Sequence, residues 1–244
     1  MPLLECRNVS VRFGGHVALD AVDVAAEAGT ITGLIGPNGA GKTTMFNVVT
    51  GLLEPTGGSV HFDGVDVTRL APFRRARFGI ARTFQRLELF TSLSVRDNVR
   101  AAGDIRNRWQ RRGRIDAASE ADRILDLIGI AHLADREVGE IPTGMARRVE
   151  LGRALMTQPK VLLLDEPASG QDERETEEFG DLLVRLRDEG IAIFLVEHDV
   201  ALVMRTCSFI HVLDFGRIIA TGTPDEIRTN QAVLDAYLGE EQHA

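Results

Sequence analysis

The stretch Gly36–Thr44, GPNGAGKTT, limits what this chain can fold into more than any other. It fits the spacing G-x-x-x-x-G-K-[ST] in full. A chance match in a chain of this length is on the order of one per cent, given glycine's average share. Each residue type has a physical task. The glycines let backbone N–H groups turn inward around phosphate oxygens, and the helix that follows points its positive end at them. Lys42 reaches the outer phosphates and the Thr43 hydroxyl ligates magnesium. The context agrees. TITGLIG before the loop is an apolar strand ending in glycine, and KTTMFNVVTGLL after it reads as a helix with Met45, Phe46, Val48, Val49 and Leu52 on its apolar side.

Two later runs, VLLLDEP (Val161–Pro167) and IAIFLVEH (Ile191–His198), are almost continuously apolar, as suits strands buried on both faces of a parallel sheet. Between them ETEEFGDLLVRLRDEG reads as an amphipathic helix ending at Gly190. A strand–helix–strand unit implies a parallel sheet with right-handed crossovers. The expected fold class is α/β: a P-loop core with a mainly parallel sheet. An N-terminal antiparallel β subdomain is drawn from LECRNVSVRF and VALDAVDVAA around a Gly14–Gly15 turn. An inserted helical subdomain is expected at about 90–158. Ligands of open α/β sheets bind at the carboxyl edge of the strands. There VLLLDEP delivers Asp165, expected to hold magnesium through water, and Glu166, placed to orient an attacking water and take its proton. Just past the other strand, His198 reaches the same edge, where it can meet a γ-phosphate.

Bulk properties exclude several classes. With 244 residues and 44% hydrophobic content the chain can build one large domain with a real core. The longest apolar run, Ile191–Val196, falls far short of the roughly 20 residues that a membrane-spanning helix needs. MPLLECRNVS lacks the basic and apolar regions of a secretory signal. The two cysteines, Cys6 and Cys207, match no metal spacing and read as reduced thiols. A net charge of −8 is not the footprint of a nucleic-acid binder, so no nucleic-acid partner is expected. RNRWQRRGR (Arg106–Arg114) is a local exception. It reads as a solvated turn between helices, with contact to anionic lipid headgroups or a membrane partner as the alternative.

The order of these motifs, with RTFQ between the first and the rest, resembles the ATP-binding subunit of an ABC transporter over almost the whole chain. The resemblance implies one cassette over 1–240, a short tail at 241–244, and ATP with Mg²⁺ as cofactors. Gly36, Pro37, Asn38, Gly39, Ala40, Gly41, Lys42, Thr43 and Thr44 would hold the nucleotide. Phe13 in VRFGG would stack on adenine, worth about 1–3 kcal/mol by analogy with base stacking. Gln85 in RTFQRLELF would sense the metal and the attacking water, beside Thr43 and Asp165, in a loop that faces the transmembrane subunit. Asp172 in PASGQD matches the aspartate of the loop after the acid pair. Implied partners are permease subunits, a second ATPase subunit (itself or a paralogue) and, indirectly, a solute-binding protein. The implied place is the cytoplasmic face of the membrane. LFTSLSVRDNV, EHDVALVM, VLDFGRIIATGTPDEI and AVLDAYLGEE are similar to ATPases of branched-chain amino-acid importers. Urea importers and lipopolysaccharide exporters carry close relatives of these phrases. The rivals are a lipopolysaccharide-export type of ATPase, a non-transport ABC ATPase and a module that binds ATP without turning it over.

The family's Leu-Ser-Gly-Gly-Gln signature, which closes over ATP held by a partner subunit, departs from pattern here. Aligned on Arg147–Arg148, its place is taken by Ile141, Pro142, Thr143, Gly144 and Met145. Pro142 lacks both the serine hydroxyl and an N–H. Either the signature is degenerate, or Pro142 starts the helix where its missing N–H costs little and Thr143 supplies the hydroxyl one position later.

Overall fold

A computed structural model describes residues 2–84, 86–110 and 113–241. Gln85, Arg111 and Arg112, and 242–244 of the expected tail, lie outside the described residues. In chain order the elements begin with β1 (Leu4–Phe13), β2 (His16–Ala26), β3 (Ile31–Ile35), α1 (Lys42–Thr50), β4 (Gly57–Phe62) and β5 (Val65–Asp66). Next come α2 (Pro72–Phe78), β6 (Ile80–Arg82), α3 (Val95–Trp109), α4 (Ala117–Leu127), α5 (Thr143–Leu155) and β7 (Val161–Asp165). The chain continues with α6 (Glu173–Asp188), β8 (Ala192–Val196), α7 (Val200–Thr206), β9 (Phe209–Asp214), β10 (Arg217–Gly222), α8 (Pro224–Arg228) and α9 (Gln231–Glu241).

Among the described residues the strands form two sheets. One is antiparallel in the order β2-β1-β4-β5; the other runs β10-β9-β3-β8-β7-β6. In the second sheet β3, β6, β7, β8 and β9 pair in parallel, and only β10 runs against its neighbour. The near-continuous apolar runs are explained by two cores on opposite faces. Along β7 and β8, Val161, Leu163, Ala192, Phe194 and Val196 face α1 and the antiparallel sheet. The alternate residues Leu162, Leu164, Ile193 and Leu195 face α6 and the core shared with α3, α4 and α5. Period-two alternation is present, but both faces are dry, so no polar residue marks it.

The expected helix after the phosphate loop stops earlier than KTTMFNVVTGLL suggested. Gly51 takes φ 77° and caps α1, leaving Leu52 exposed. Its last carbonyls are taken by a side chain not singled out in the sequence. Arg75 of α2, almost fully buried, donates to Val48 O at 2.6 Å and Val49 O at 2.7 Å. A cation over carbonyls at a helix C-terminus is favourable in both hydrogen bonding and dipole terms. The basic stretch from Arg106 is also corrected. It is not a solvated turn at its start, because α3 runs through Trp109. Arg106 is buried there, donating to Gly113 O at 3.1 Å and Gln158 Oε1 at 2.5 Å. Both cysteines are buried free thiols, and burial pushes each up to about 12. No helix among the described residues is long and apolar enough to cross a membrane.

Candidate functional site

The carboxyl ends of β3, β6, β7 and β8 converge at one edge of the parallel sheet. Pairing sets their relative positions: Arg82 lies across from Leu163, and Asp165 from Val196. β3 runs straight into the phosphate loop. Gly36 has φ 147°, and a Cβ there would stand 1.8 Å from Leu213 O, so backbone closeness as well as backbone freedom demands glycine. Gly41, at φ 111°, caps α1 without a side chain. The N-terminus of α1, with the helix dipole behind it, suits an anion. The β9–β10 turn braces the loop from outside, since the Gly216 N–H donates to Ala40 O at 2.9 Å.

Lys42 is buried, and its ammonium donates to Gly36 O at 2.5 Å and Pro37 O at 2.9 Å. The lysine spans its own loop and holds it curled. Thr43 is exposed and lines, with Asn47, Arg82 and Asp165, a cavity of about 400 Å³. Asp165 is fully buried, and burial pushes its carboxyl above the usual range while Arg82 beside it acts in the opposite sense. Its Oδ1 has no hydrogen-bond partner among the described residues. An unpartnered buried carboxylate oxygen and a hydroxyl lining one cavity suit a hard divalent cation that keeps most of its waters, which fits magnesium. Thr43 and Asp165 could hold it. Gln85, the third expected contact, lies outside the described residues.

Glu166 follows β7 in left-handed backbone (φ 51°), held by its N–H to Val196 O at 2.8 Å. For a glutamate such backbone costs on the order of 1 kcal/mol, a strain that clusters at functional sites. It aims the carboxylate at His198, whose Nε2 lies 2.6 Å from Glu166 Oε1. His198 is 47% exposed, against 23% for Glu166, so the pair opens to solvent from the imidazole side. Residues 32 apart in sequence are thus brought into contact. The sequence reading passed over Glu197. It is buried and pushed up by burial, yet it accepts the Ala168 N–H at 2.7 Å and the His198 N–H at 3.1 Å. It ties the loop after Glu166 to the loop carrying His198. The only sequence signal was an acid beside the histidine in LVEHDV.

Phe13 ends β1 with its ring about half exposed, free to stack. Asp172 caps α6, accepting the Glu175 N–H at 2.8 Å in a capping box. In the atypical stretch Pro142 is the cap residue (φ −57°, ψ 151°), so α5 starts at Thr143, one residue later than a proline-first helix. Thr143 is exposed, Gly144 is buried, and Ile141 and Met145 pack partly buried on the core. The Arg147–Arg148 pair splits. Arg147 donates to Phe84 O at 2.8 Å, while Arg148 donates to Ile128 O at 3.1 Å. Further along α5, Glu150 accepts the Phe84 N–H at 3.2 Å and Arg153 donates to Glu88 O. α5 therefore grips the chain at Phe84 and at Glu88. Beside this grip lies a second cavity of about 330 Å³ with Pro72, Ala76, Ala102 and Arg153 in its lining. Arg82, Phe84 and Glu88 line both cavities.

Residues 19–169 match the family described as ABC transporter, and 217–243 the family described as Branched-chain amino acid ATP-binding cassette transporter. The chain is 38% identical over 251 residues to the high-affinity branched-chain amino acid transport ATP-binding protein BraF of Pseudomonas aeruginosa, covering 98% of each. It is 39% identical over 251 residues to LivG of Escherichia coli, with the same coverage. It is 35% identical over 241 residues to the lipopolysaccharide export system ATP-binding protein LptB of Escherichia coli, covering 99% of each. Among solved structures, a nucleotide-free ATP-binding cassette from an ABC transporter superposes with TM-score 0.87 at 30% identity, covering 97% of this chain and 99% of that one. The ADP conformation of such a cassette gives TM-score 0.87 at 31% identity, covering 98% and 99%. Likeness of that extent, in sequence and in fold alike, makes the chain a member of the ABC transporter family, one of its ATP-hydrolysing cassettes.

Proposed function

We propose that this cassette powers uptake of branched-chain amino acids, or similar small polar solutes, through a membrane permease whose cytoplasmic side it meets. The observation that carries the solute class is the match of residues 217–243 to a branched-chain amino acid cassette family. The described part of that match holds β10, α8 and α9, far in sequence from the phosphate loop, so the match does not rest on the ATP-binding motifs. The names of BraF and LivG point the same way. In this reading the cassette works as one of a pair, with itself or a paralogue, and a solute-binding protein acts from the far side of the permease.

The chemistry follows from the edge of the sheet. Lys42 and the first amides of α1 hold the outer phosphates. Thr43 and Asp165 hold magnesium, which when bound neutralises phosphate charge. Glu166 accepts a proton from water as its oxygen bonds to the γ-phosphorus and the bond to the β–γ bridging oxygen breaks. His198, already at hydrogen-bonding distance from Glu166 through Nε2, orients that base, and in the ATP-bound cassette the same Nε2–H can pass to the γ-phosphate. The 330 Å³ groove is the seat we assign to a permease helix. Its wall at Arg82, Phe84 and Glu88 is shared with the metal cavity, so one segment can report nucleotide state to the membrane partner. The reading is tested in proteoliposomes carrying the permease. ATP-driven accumulation of labelled leucine is the expected result. Turnover stimulated by the permease without leucine uptake, or extraction of lipopolysaccharide instead, would sink the solute assignment.

The atypical signature is read as active. The cap at Pro142 leaves Thr143 exposed at the start of α5, where its hydroxyl and the helix amides can meet the γ-phosphate of ATP on the partner. Thr143→Val keeps the shape and deletes the donor. A hydrogen bond to a charged acceptor is worth about 1.5–3 kcal/mol, which corresponds to a loss of roughly 10- to 150-fold in transporter ATPase rate. ATP affinity of the isolated chain should stay the same. A silent Thr143→Val would mean a degenerate signature. Restoring Ser at Pro142, Gly at Thr143 and Gln at Met145 should then raise the rate.

A further inference from the structure

Arg82 has no part in the phosphate-loop motif or in the chemistry assigned above, yet it sits at the centre of the site. It closes β6, and its side chain is 5% exposed. One arm, Nη1, donates to Asn47 Oδ1 at 2.6 Å; the other, Nη2, donates to Asp165 Oδ2 at 2.7 Å. The Phe46 and Phe84 ring centres lie 5.5 and 5.0 Å from its central carbon. A planar fork held at both arms and packed against two rings has almost no freedom left. Lysine, a single point charge on a flexible stem, could not make the same pair of ties. Asn47 lies on α1 one turn beyond Thr43 (i, i+4), so the two residues share a helix face. The fork therefore ties the carboxylate of β7 to the helix face that carries the metal-binding hydroxyl. With Oδ2 taken, Asp165 has only Oδ1 to offer, and Oδ1 is the oxygen without a partner among the described residues. Thr43, Asn47, Arg82 and Asp165 all line the 400 Å³ cavity.

We propose that Arg82 is a positioning residue for the metal site, clamping Asp165 Oδ2 to Asn47 so that Oδ1 faces the hydrated cation held beside Thr43. The inference rests on the reading of Asp165 as the metal carboxylate. It also has a clear competitor. The guanidinium is itself a cation, and a residue that merely filled the metal's place would weaken metal binding rather than support it. The two roles predict opposite signs.

The test uses the full chain and two calorimetric titrations of ATP, one with excess Mg²⁺ and one in EDTA. The ratio of the two affinities reports how strongly metal and nucleotide are coupled, independently of turnover. Removing an outer partner of a metal ligand typically costs 10- to 100-fold in metal affinity. Arg82→Gln and Arg82→Lys should therefore cut the ratio about tenfold or more, most of the way to the value for Asp165→Asn, with ATP affinity in EDTA unchanged. Asn47→Leu keeps the charge and loses one tie, so its ratio should fall by less. If Arg82→Gln fails to fold by circular dichroism, Arg82→Lys and Asn47→Leu decide. A ratio that is unchanged or raised in the Arg82 variants, while Asp165→Asn collapses it, overturns the proposal. A wild-type ratio insensitive to Asp165→Asn would instead overturn the metal reading of Asp165.

Discussion

Glu166→Gln lowers ATP hydrolysis by about 10²-fold or more, leaves ATP bound, and lets a nucleotide-dependent dimer accumulate. The size follows from removing a general base, which contributes typically about 10²- to 10⁴-fold. The geometry explains why binding should survive. Glu166 is not among the groups assigned to hold the phosphates; its side chain faces His198 at 2.6 Å. Glutamine is nearly isosteric and still presents an oxygen or an amide to the imidazole. The left-handed backbone at φ 51° is held by the Val196 carbonyl, which the substitution does not touch. Phosphate release at saturating ATP measures the first part, and light scattering with and without ATP the second. Near-normal turnover would remove Glu166 from the role of base. A dimer that ignores ATP would argue against nucleotide as the element that joins two cassettes.

Lys42→Ala lowers ATP affinity at least tenfold. Two losses add. The ammonium leaves a site where several phosphate charges converge, and each charge-assisted contact is worth about 1.5–3 kcal/mol. The loop also loses its internal brace, because Lys42 is what joins the Gly36 and Pro37 carbonyls across the turn. Without it the amides aimed at the phosphates are less preorganised, so part of the loss appears even for a nucleotide with fewer phosphates. Calorimetry with ATP and with ADP, both in EDTA, separates the terms. Loss of charge should weigh more on ATP, and loss of the brace should weigh on both. An unchanged ATP affinity would mean that the phosphate loop has been misread.

Much of the frame was legible because it depends on short-range pattern. Strand, glycine turn and helix follow one another between Thr30 and Thr50, and each step is dictated by residues within a few positions. The same holds for the apolar runs of β7 and β8, whose length and lack of polar residues announce two buried faces. Reading failed where a local signal was ambiguous. Gly51 could continue or end a helix, and only the packing of Leu70 and Arg75 against it, within 3 Å of where a Cβ would be, explains the stop. RNRWQRRGR reads as solvated from charge alone, yet the Arg106 guanidinium finds Gln158, 52 residues away, and is buried. Pro142 allowed a helix to start at it or just after it, and the extended ψ of 151° placed the start at Thr143.

The sequence by itself determined that this chain holds a phosphate loop, an acid pair and a histidine at strand ends, since those chemistries are written in contiguous residues with set spacing. It determined the order of the strands that carry them. Tertiary structure alone decided who meets whom at the edge of the sheet. Glu166 and His198 touch across 32 residues, and Arg82 reaches Asn47 across 35 and Asp165 across 83. No period or motif encodes such pairs, because they are set by which strands neighbour each other and by their register. A shift of one residue in β6 against β7 would turn Arg82 to the other face of the sheet and away from Asp165.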